Sequence, residues 1–171
     1  MKLYIKSMVS LRCKMMVERE LSNLGLRYVS LELGMVDILE DITDKQRELL
    51  RENLIKSGLV LIEDKKAILI ERIKNTVIEL IHYSDDLPKE NLSDLISFKL
   101  NHNYSYLANI FSEDQGITIQ HFIILHKIEK VKEFILYDEL SLTEIADRLH
   151  YSSIAHLSNQ FKKVTGLSPS F

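Results

Sequence analysis

An α+β chain is predicted, with a small antiparallel sheet in front and an all-helical rear. Three observations point to it. Strand-like and helix-like stretches alternate over the first 63 residues, and a helix-turn-helix pattern occurs twice in the rear half. Only two prolines and five glycines in 171 residues leave room for long helices. Hydrophobic residues at 46% and charged residues at 27% give a globular balance rather than a disordered or fibrous one. A single cysteine, Cys13, excludes an internal disulfide framework. No apolar run approaches the roughly 18 to 20 residues of a membrane helix, and Met1 to Lys6 lacks the apolar stretch of a signal peptide. A cytoplasmic protein with no membrane association is expected.

The elements follow in order. Leu3 and Ile5 alternate with Tyr4 and Lys6 at period two, as in a strand. Leu11, Met15, Leu21 and Leu24, with Val17 beside them, recur at helical spacing, and Gly25 sits where a C-terminal cap belongs. Arg27 to Glu40 reads as two strands, Val29, Leu31 and Leu33 before Gly34 and Val36 and Ile38 after it. Thr43-Asp44-Lys45-Gln46 is a capping box opening a helix through Leu49, Leu50 and Leu54, which Gly58 ends. Leu59 to Ile62 is a short apolar strand. This β-α-β-β-α-β order specifies a ferredoxin-like domain over residues 1–64, four antiparallel strands with two helices on one face. A connecting helix is expected within 65–86, with Ile68, Ile73, Val77, Leu80 and Ile81 largely on one side. Pro88 closes the polar stretch that follows.

Residues 87–171 contain a repeat. Leu107, Phe111, Gly116 and Thr118 match Leu157, Phe161, Gly166 and Ser168, each fifty residues later. Upstream, Ile96-Ser97 matches Ile145-Ala146, small residues where two helices cross closely. Four residues beyond each small residue stand Asn101 and His150, types suited to positive φ. Each unit is therefore a short helix, a turn of three or four residues, and a second helix: a helix-turn-helix, twice. Ser141-Leu142-Thr143-Glu144 is a capping box for the second unit's first helix. Between the units, Ile119 to Tyr137 reads as one long helix that would bury Phe122, Leu125, Val131 and Ile135. A tandem pair on a rigid connector can set two helices about 34 Å apart, in successive major grooves.

Leu142 to Ala146, Tyr151-Ser152-Ser153, Leu157 through Pro169 and the connecting stretch Ile128 to Leu136 form one combined motif. On these stretches, residues 87–171 resemble the DNA-binding domain of the AraC/XylS family of bacterial transcription regulators. The resemblance ends at Phe171, about where the family has a further short helix. What it implies is sequence-specific binding of double-stranded DNA, with base contacts from residues at matching positions. In the second unit these are Ser153, Ile154, Ala155, His156 and Asn159, and in the first Ser105, Tyr106, Ala108 and Asn109. Asn159 and Asn109 could each pair with adenine, while Ile154 and Ala155 could pack on thymine methyls. Lys162 and Lys163 would meet phosphates.

Two departures stand out. The family usually has an arginine at Asn109 and basic residues at Ser112, Glu113 and Asp114. Charge is also uneven along the chain. Residues 1–83 carry 14 cations and 13 carboxylates, whereas residues 84–171 carry 8 and 12, for a net −4. Arg148 to Phe171, however, has three cations and no carboxylate, so the second unit is expected to dominate affinity. Dimeric binding through the front domain, or contact with RNA polymerase, would compensate for the first.

In front, Met8 to Cys13, Val17-Glu18 and Leu21 to Leu26 resemble the heavy-metal-associated domain, itself ferredoxin-like. That family holds Cu(I) or Zn(II) on two cysteines three residues apart. Cys13 matches the second, but Ser10 stands at the first, so the motif is degenerate. Arg12, Lys14 and the helix start should favour the Cys13 thiolate. The readings are a metal or redox sensor, a thiolate shared between two subunits, or a domain kept for dimerisation or packing. Met8, Met15 and Met16 are expected in the core.

Other function classes are less well supported. No G-x-S-x-G, H-E-x-x-H or P-loop pattern occurs, and His121 and His126, five apart, do not share a helix face, so no enzyme is expected. A metal-binding or trafficking protein rests on residues 8–13 alone. A protein–protein adaptor without DNA binding would account for the acidic rear.

Overall fold

The computed structural model describes residues 1–138 and 140–169; Glu139, Ser170 and Phe171, the point where the resemblance ends, lie outside them. The chain divides into two compact units, Met1–Asn75 and Thr76–Phe171.

The front unit runs β1 (Lys2–Lys6), α1 (Leu11–Asn23), β2 (Tyr28–Glu32), β3 (Met35–Ile38), α2 (Asp44–Lys56) and β4 (Val60–Ile62). Its sheet has the order β2-β3-β1-β4, antiparallel at each pairing. Leu3 and Ile5 of β1, Val36 and Ile38 of β3 and Leu61 of β4 share a buried cluster with Val17 and Leu21 of α1 and Leu50 and Leu54 of α2. Thr43 caps α2 with the capping box read from the sequence, accepting from Gln46 N–H while the Gln46 side chain accepts from Thr43 N–H. The next helix, α3 (Lys65–His82), starts within this unit. Its Glu71 carboxylate accepts from the N–H of Ser7, a residue at φ 68°, and its Asn75 side chain lies against Gly34. A Cβ on Gly34 would stand 2.1 Å from Asn75 Nδ2, so at this turn, with φ at 77°, a larger residue would be strained and would have to displace the Asn75 side chain.

Two details of the front unit differ from the sequence expectation. Val29 is exposed because a β-bulge between Tyr28 and Ser30 breaks the alternation: the step from Tyr28 to Ser30 spans one step, Ile38 to Asp37, on β3. On α1, Leu11 and Met15 face solvent at 65% and 60% exposure, and the buried stripe is Val17, Glu20 and Leu21. Glu20 is satisfied there by Asn53 Nδ2 of α2 at 3.1 Å. Of the three methionines expected inside, Met8 is fully buried, Met16 is half-buried and Met15 is outside, since helical spacing leaves the face open to either choice.

The rear unit holds α4 (Leu92–Leu100), α5 (Tyr104–Gln115), α6 (Ile119–Tyr137), α7 (Leu142–Arg148) and α8 (Ile154–Thr165). Helix α6 is the spine. Its fully buried residues are Ile119, Ile123, Ile128 and Val131; of the residues expected to bury, Val131 does and Phe122, Leu125 and Ile135 are half-buried. Ile128 and Val131 share one cluster with Ile145, Ala146 and Leu149, and with Leu157 and Phe161 of α8. Phe122 meets Phe111 of α5 edge-on, centroids 5.4 Å apart. The spine thus serves both helix pairs.

Candidate nucleic-acid interface

Each of the two second helices begins and ends by the same chemistry. Asn103 caps α5, its side chain accepting from Ser105 N–H at 2.8 Å, and Ser153 caps α8, accepting from His156 N–H at 3.0 Å. Gly116 and Gly166 close them in the left-handed region, at φ 70° and 79°. Leu107, Ile110 and Phe111 anchor α5 in the core, and Leu157 and Phe161 anchor α8.

The turns before them are also matched. Asn101 and His150 sit at φ 54° and 55°, as their residue types suggest. After α4, His102 N–H donates to Ser97 O and Asn101 N–H to Phe98 O; after α7, Tyr151 N–H donates to Ala146 O and His150 N–H to Asp147 O. Both are Schellman turns, in which the left-handed residue lets the chain turn back on the last carbonyls of the helix. From there they diverge. Asn101 is followed two residues later by the next cap, His150 three residues later. With Leu149 also standing between α7 and His150, three residues separate α4 from α5, within the expected range, but five separate α7 from α8.

Tyr151 lies in that longer turn. It is buried, donates its hydroxyl to Gln160 Oε1 of α8 at 2.7 Å, and has Lys127 of α6 over its ring at 5.0 Å. Burial pushes the Tyr151 pKa up to about 12 and pulls that of Lys127 down, so at neutral pH the phenol stays a donor. The matching residue in the first turn, His102, is exposed and rests on Tyr106, ring centroids 5.7 Å apart. His150 Nε2 adds a bond of 2.6 Å to Leu87 O.

The predicted contact residues fall as follows. Ser105, Tyr106 and Asn109 on α5 are exposed and Ala108 is half-buried. On α8, Ile154, Ala155, His156, Asn159, Lys162 and Lys163 are exposed. Ser153 is exposed too, but its hydroxyl is committed to the helix cap; His156 Nδ1 pairs with Ser152 Oγ at 3.1 Å and its ring stands edge-on to Tyr151. Tyr151 and Gln160 did not figure among the predicted site residues. The available signal was position: the residue after a left-handed turn residue commonly packs back on its helix.

At the front, Ser10 is the N-cap of α1, its hydroxyl accepting from Cys13 N–H at 3.4 Å and lying 3.2 Å from Cys13 Sγ. Partial burial opposes ionisation of the thiol, yet the hydrogen bond with Ser10 and the backbone at Val9, Ser10 and Cys13 outweigh it and hold the Cys13 pKa below its usual value. The favoured thiolate therefore comes from hydrogen bonding. One thiol beside a capping hydroxyl does not fit a Cu(I) or Zn(II) site within one chain. Among the described residues, no three His, Cys, Asp or Glu side chains converge on a point that could hold a metal, and no helix is long and apolar enough to cross a membrane.

A helix-turn-helix domain family matches residues 96–171. An uncharacterized HTH-type transcriptional regulator of Bacillus subtilis, YtdP, is 25% identical over 99 residues, 58% of this chain and 13% of that protein. One from Staphylococcus aureus is 30% identical over 89 residues, 52% of this chain and 11% of its own length. The matches thus take in only about an eighth of those relatives. Among solved structures, the C-terminal domain of AraT, a response regulator from Geobacillus stearothermophilus, aligns with a TM-score of 0.51 and 26% identity, covering 62% of this chain and 84% of that one. A DNA-binding transcriptional dual regulator from Escherichia coli K-12 shares the fold, with a TM-score of 0.50 and 15% identity, over 60% of this chain and 86% of that one. Caps and anchors matched at a fifty-residue interval and turns at forty-nine, together with these likenesses, make residues 96–171 a helix-turn-helix domain of the AraC type.

Proposed function

We propose that this chain is a sequence-specific transcription regulator whose α5 and α8 enter successive major grooves of double-stranded DNA. The observation that carries the reading is the outward face of α8, where Ile154, Ala155 and Asn159 stand clear of the core above Lys162 and Lys163. Such a face offers an amide for adenine, apolar groups for thymine methyls and cations for phosphates. On α5, Ser105, Tyr106, Ala108 and Asn109 play the matching part with no cation on the helix. Residues 87–171 form the reading domain, 65–86 the connecting helix, and 1–64 a domain for dimerisation or sensing. RNA polymerase is the natural second partner of DNA-bound protein.

Selection of bound sequences from a random duplex library tests this. A reproducible site with two half-motifs about ten base pairs apart is expected. Recovery of unselected sequence at low salt would instead favour an adaptor that uses the fold without reading DNA, a reading that the four-carboxylate excess of residues 84–171 supports.

A further inference from the structure

His82 ends α3, and its Nε2 lies 2.9 Å from Nδ1 of His126 on α6. The rings stand nearly perpendicular, centroids 5.2 Å apart, and both are half-buried. Phe122 stacks at a tilt on His126, centroids 4.5 Å apart, and Phe122 in turn meets Phe111, the fully buried anchor of α5. A continuous file of rings therefore runs from the last turn of α3 to the core of the first helix-turn-helix. The second unit is anchored elsewhere, on Ile128, Val131, Leu157 and Phe161.

We propose that the His82–His126 pair is a proton-sensitive latch that holds the first helix-turn-helix unit closed and leaves the second untouched. The reason is a proton count. Nitrogens 2.9 Å apart share one hydrogen; a neutral pair does so, and a singly protonated pair can. Two imidazoliums would place two cations, and two N–H donors, face to face. In the open chain each histidine takes its own proton below about pH 6.5. The closed pair binds fewer protons than the open one, so closure weakens as pH falls through that region.

The neighbouring charges do not reverse the sign. Glu129 and Glu133 on α6 favour protonation of His82, and Glu129 favours it at His126; Lys130 opposes it at His82. Each carboxylate is already engaged, Glu129 by Lys132 and Glu133 by Lys130. One turn back on α3, Glu79 is paired with Lys99 of α4. Burial is the largest influence on both rings and holds both pKa values below the ordinary histidine value.

Amide hydrogen exchange on the full chain without DNA, corrected for intrinsic exchange, tests the latch independently of nucleic-acid binding. Between pH 7.5 and 5.5 the amides of α5 should lose protection by up to about tenfold, the most that one excluded proton with an open-chain pKa near 6.5 can contribute at pH 5.5, while those of α8 hold. His126→Gln, which keeps hydrogen-bonding capacity and cannot be protonated, should abolish most of that pH dependence. Equal loss in α5 and α8, no loss in either, or full pH dependence in the variant would overturn the proposal. Should the variant fail to fold, NMR titration of the two imidazoles in the native chain decides: two protons taken up at or above pH 6.5 refute it.

Discussion

The two helix pairs of the rear unit, α4–α5 and α7–α8, repeat one turn and differ in what surrounds it. In both, a non-glycine residue takes the left-handed position, and a polar side chain caps the second helix. In the second pair the residue after the left-handed position, Tyr151, is buried and bonded to Gln160 of the helix that follows. In the first, His102 takes that place in solvent. The helix ends differ as well: α8 finishes on Lys162 and Lys163, whereas α5 passes Glu113 and Asp114 before Gly116. Backbone chemistry has been kept in both copies, while the fastening of the turn and the charge have diverged. The second unit is fastened and basic, the first more loosely held and acidic. That asymmetry suits a division of labour in which α8 supplies affinity and α5 supplies adjustable contacts.

The greatest effects should come from the two aromatic anchors. Phe111→Ala and Phe161→Ala should each cost about 3 to 5 kcal/mol of stability, because each empties a buried site that the surrounding helices cannot refill. Phe111→Ala should lie at the upper end, as it also removes the edge-on partner of Phe122. Urea unfolding followed by circular dichroism measures both. A cost below about 1 kcal/mol at either position would show that its helix is not anchored as described.

Base reading comes next. Asn159→Ala should lose about 1 to 3 kcal/mol of discrimination at one adenine. Asn109→Ala should lose less, since α5 lacks the neighbouring cations that would hold it against the duplex. Binding titrations on matched and mismatched duplexes check this, and equal losses would erase the proposed asymmetry.

Much of this arrangement was legible in the sequence because local chemistry dictates it. Capping boxes at Thr43 and Ser141, left-handed Asn101 and His150, and the boundaries of α6 depend on residues within a few positions of one another, and the structure agrees with each. What escaped depends on distant partners. The outward turn of Leu11 and Met15 follows from which face of α1 meets α2 and the sheet, and helical spacing alone leaves that choice open. Val29 is exposed because of a bulge, a pairing irregularity with no residue signature here. His82 and His126 are 44 positions apart, and neither belongs to a motif. The role of Ser10 was visible only in part: a serine at a helix start signals a cap, yet its position in a cysteine motif directs attention to the missing thiolate.

Charge gives a smaller and more diagnostic effect. Lys162→Gln and Lys163→Gln should each lower the slope of log affinity against log salt by about one, with site preference unchanged, as expected for phosphate contacts. Replacing Glu113 and Asp114 by lysine should raise that slope if the end of α5 approaches the backbone. A slope unmoved by all four changes would place both helix ends away from DNA.

The finest distinction lies in the turns themselves. Asn101 and His150 both occupy a conformation that glycine adopts without strain, so glycine at either should relieve a small local cost, offset by greater freedom of the unfolded chain. At Asn101 the side chain is exposed and its loss removes little, so Asn101→Gly should be neutral or stabilise by up to about 0.5 kcal/mol. His150 differs, because its Nε2 donates to Leu87 O and ties the segment before α4 to the second turn. His150→Gly should therefore destabilise by about 0.5 to 1.5 kcal/mol, the net worth of one such bond. Opposite signs from the same substitution, read as shifts in urea midpoint, would establish that the second turn is held by tertiary fastening and the first by its backbone alone; equal signs would reduce the difference between the two units to charge.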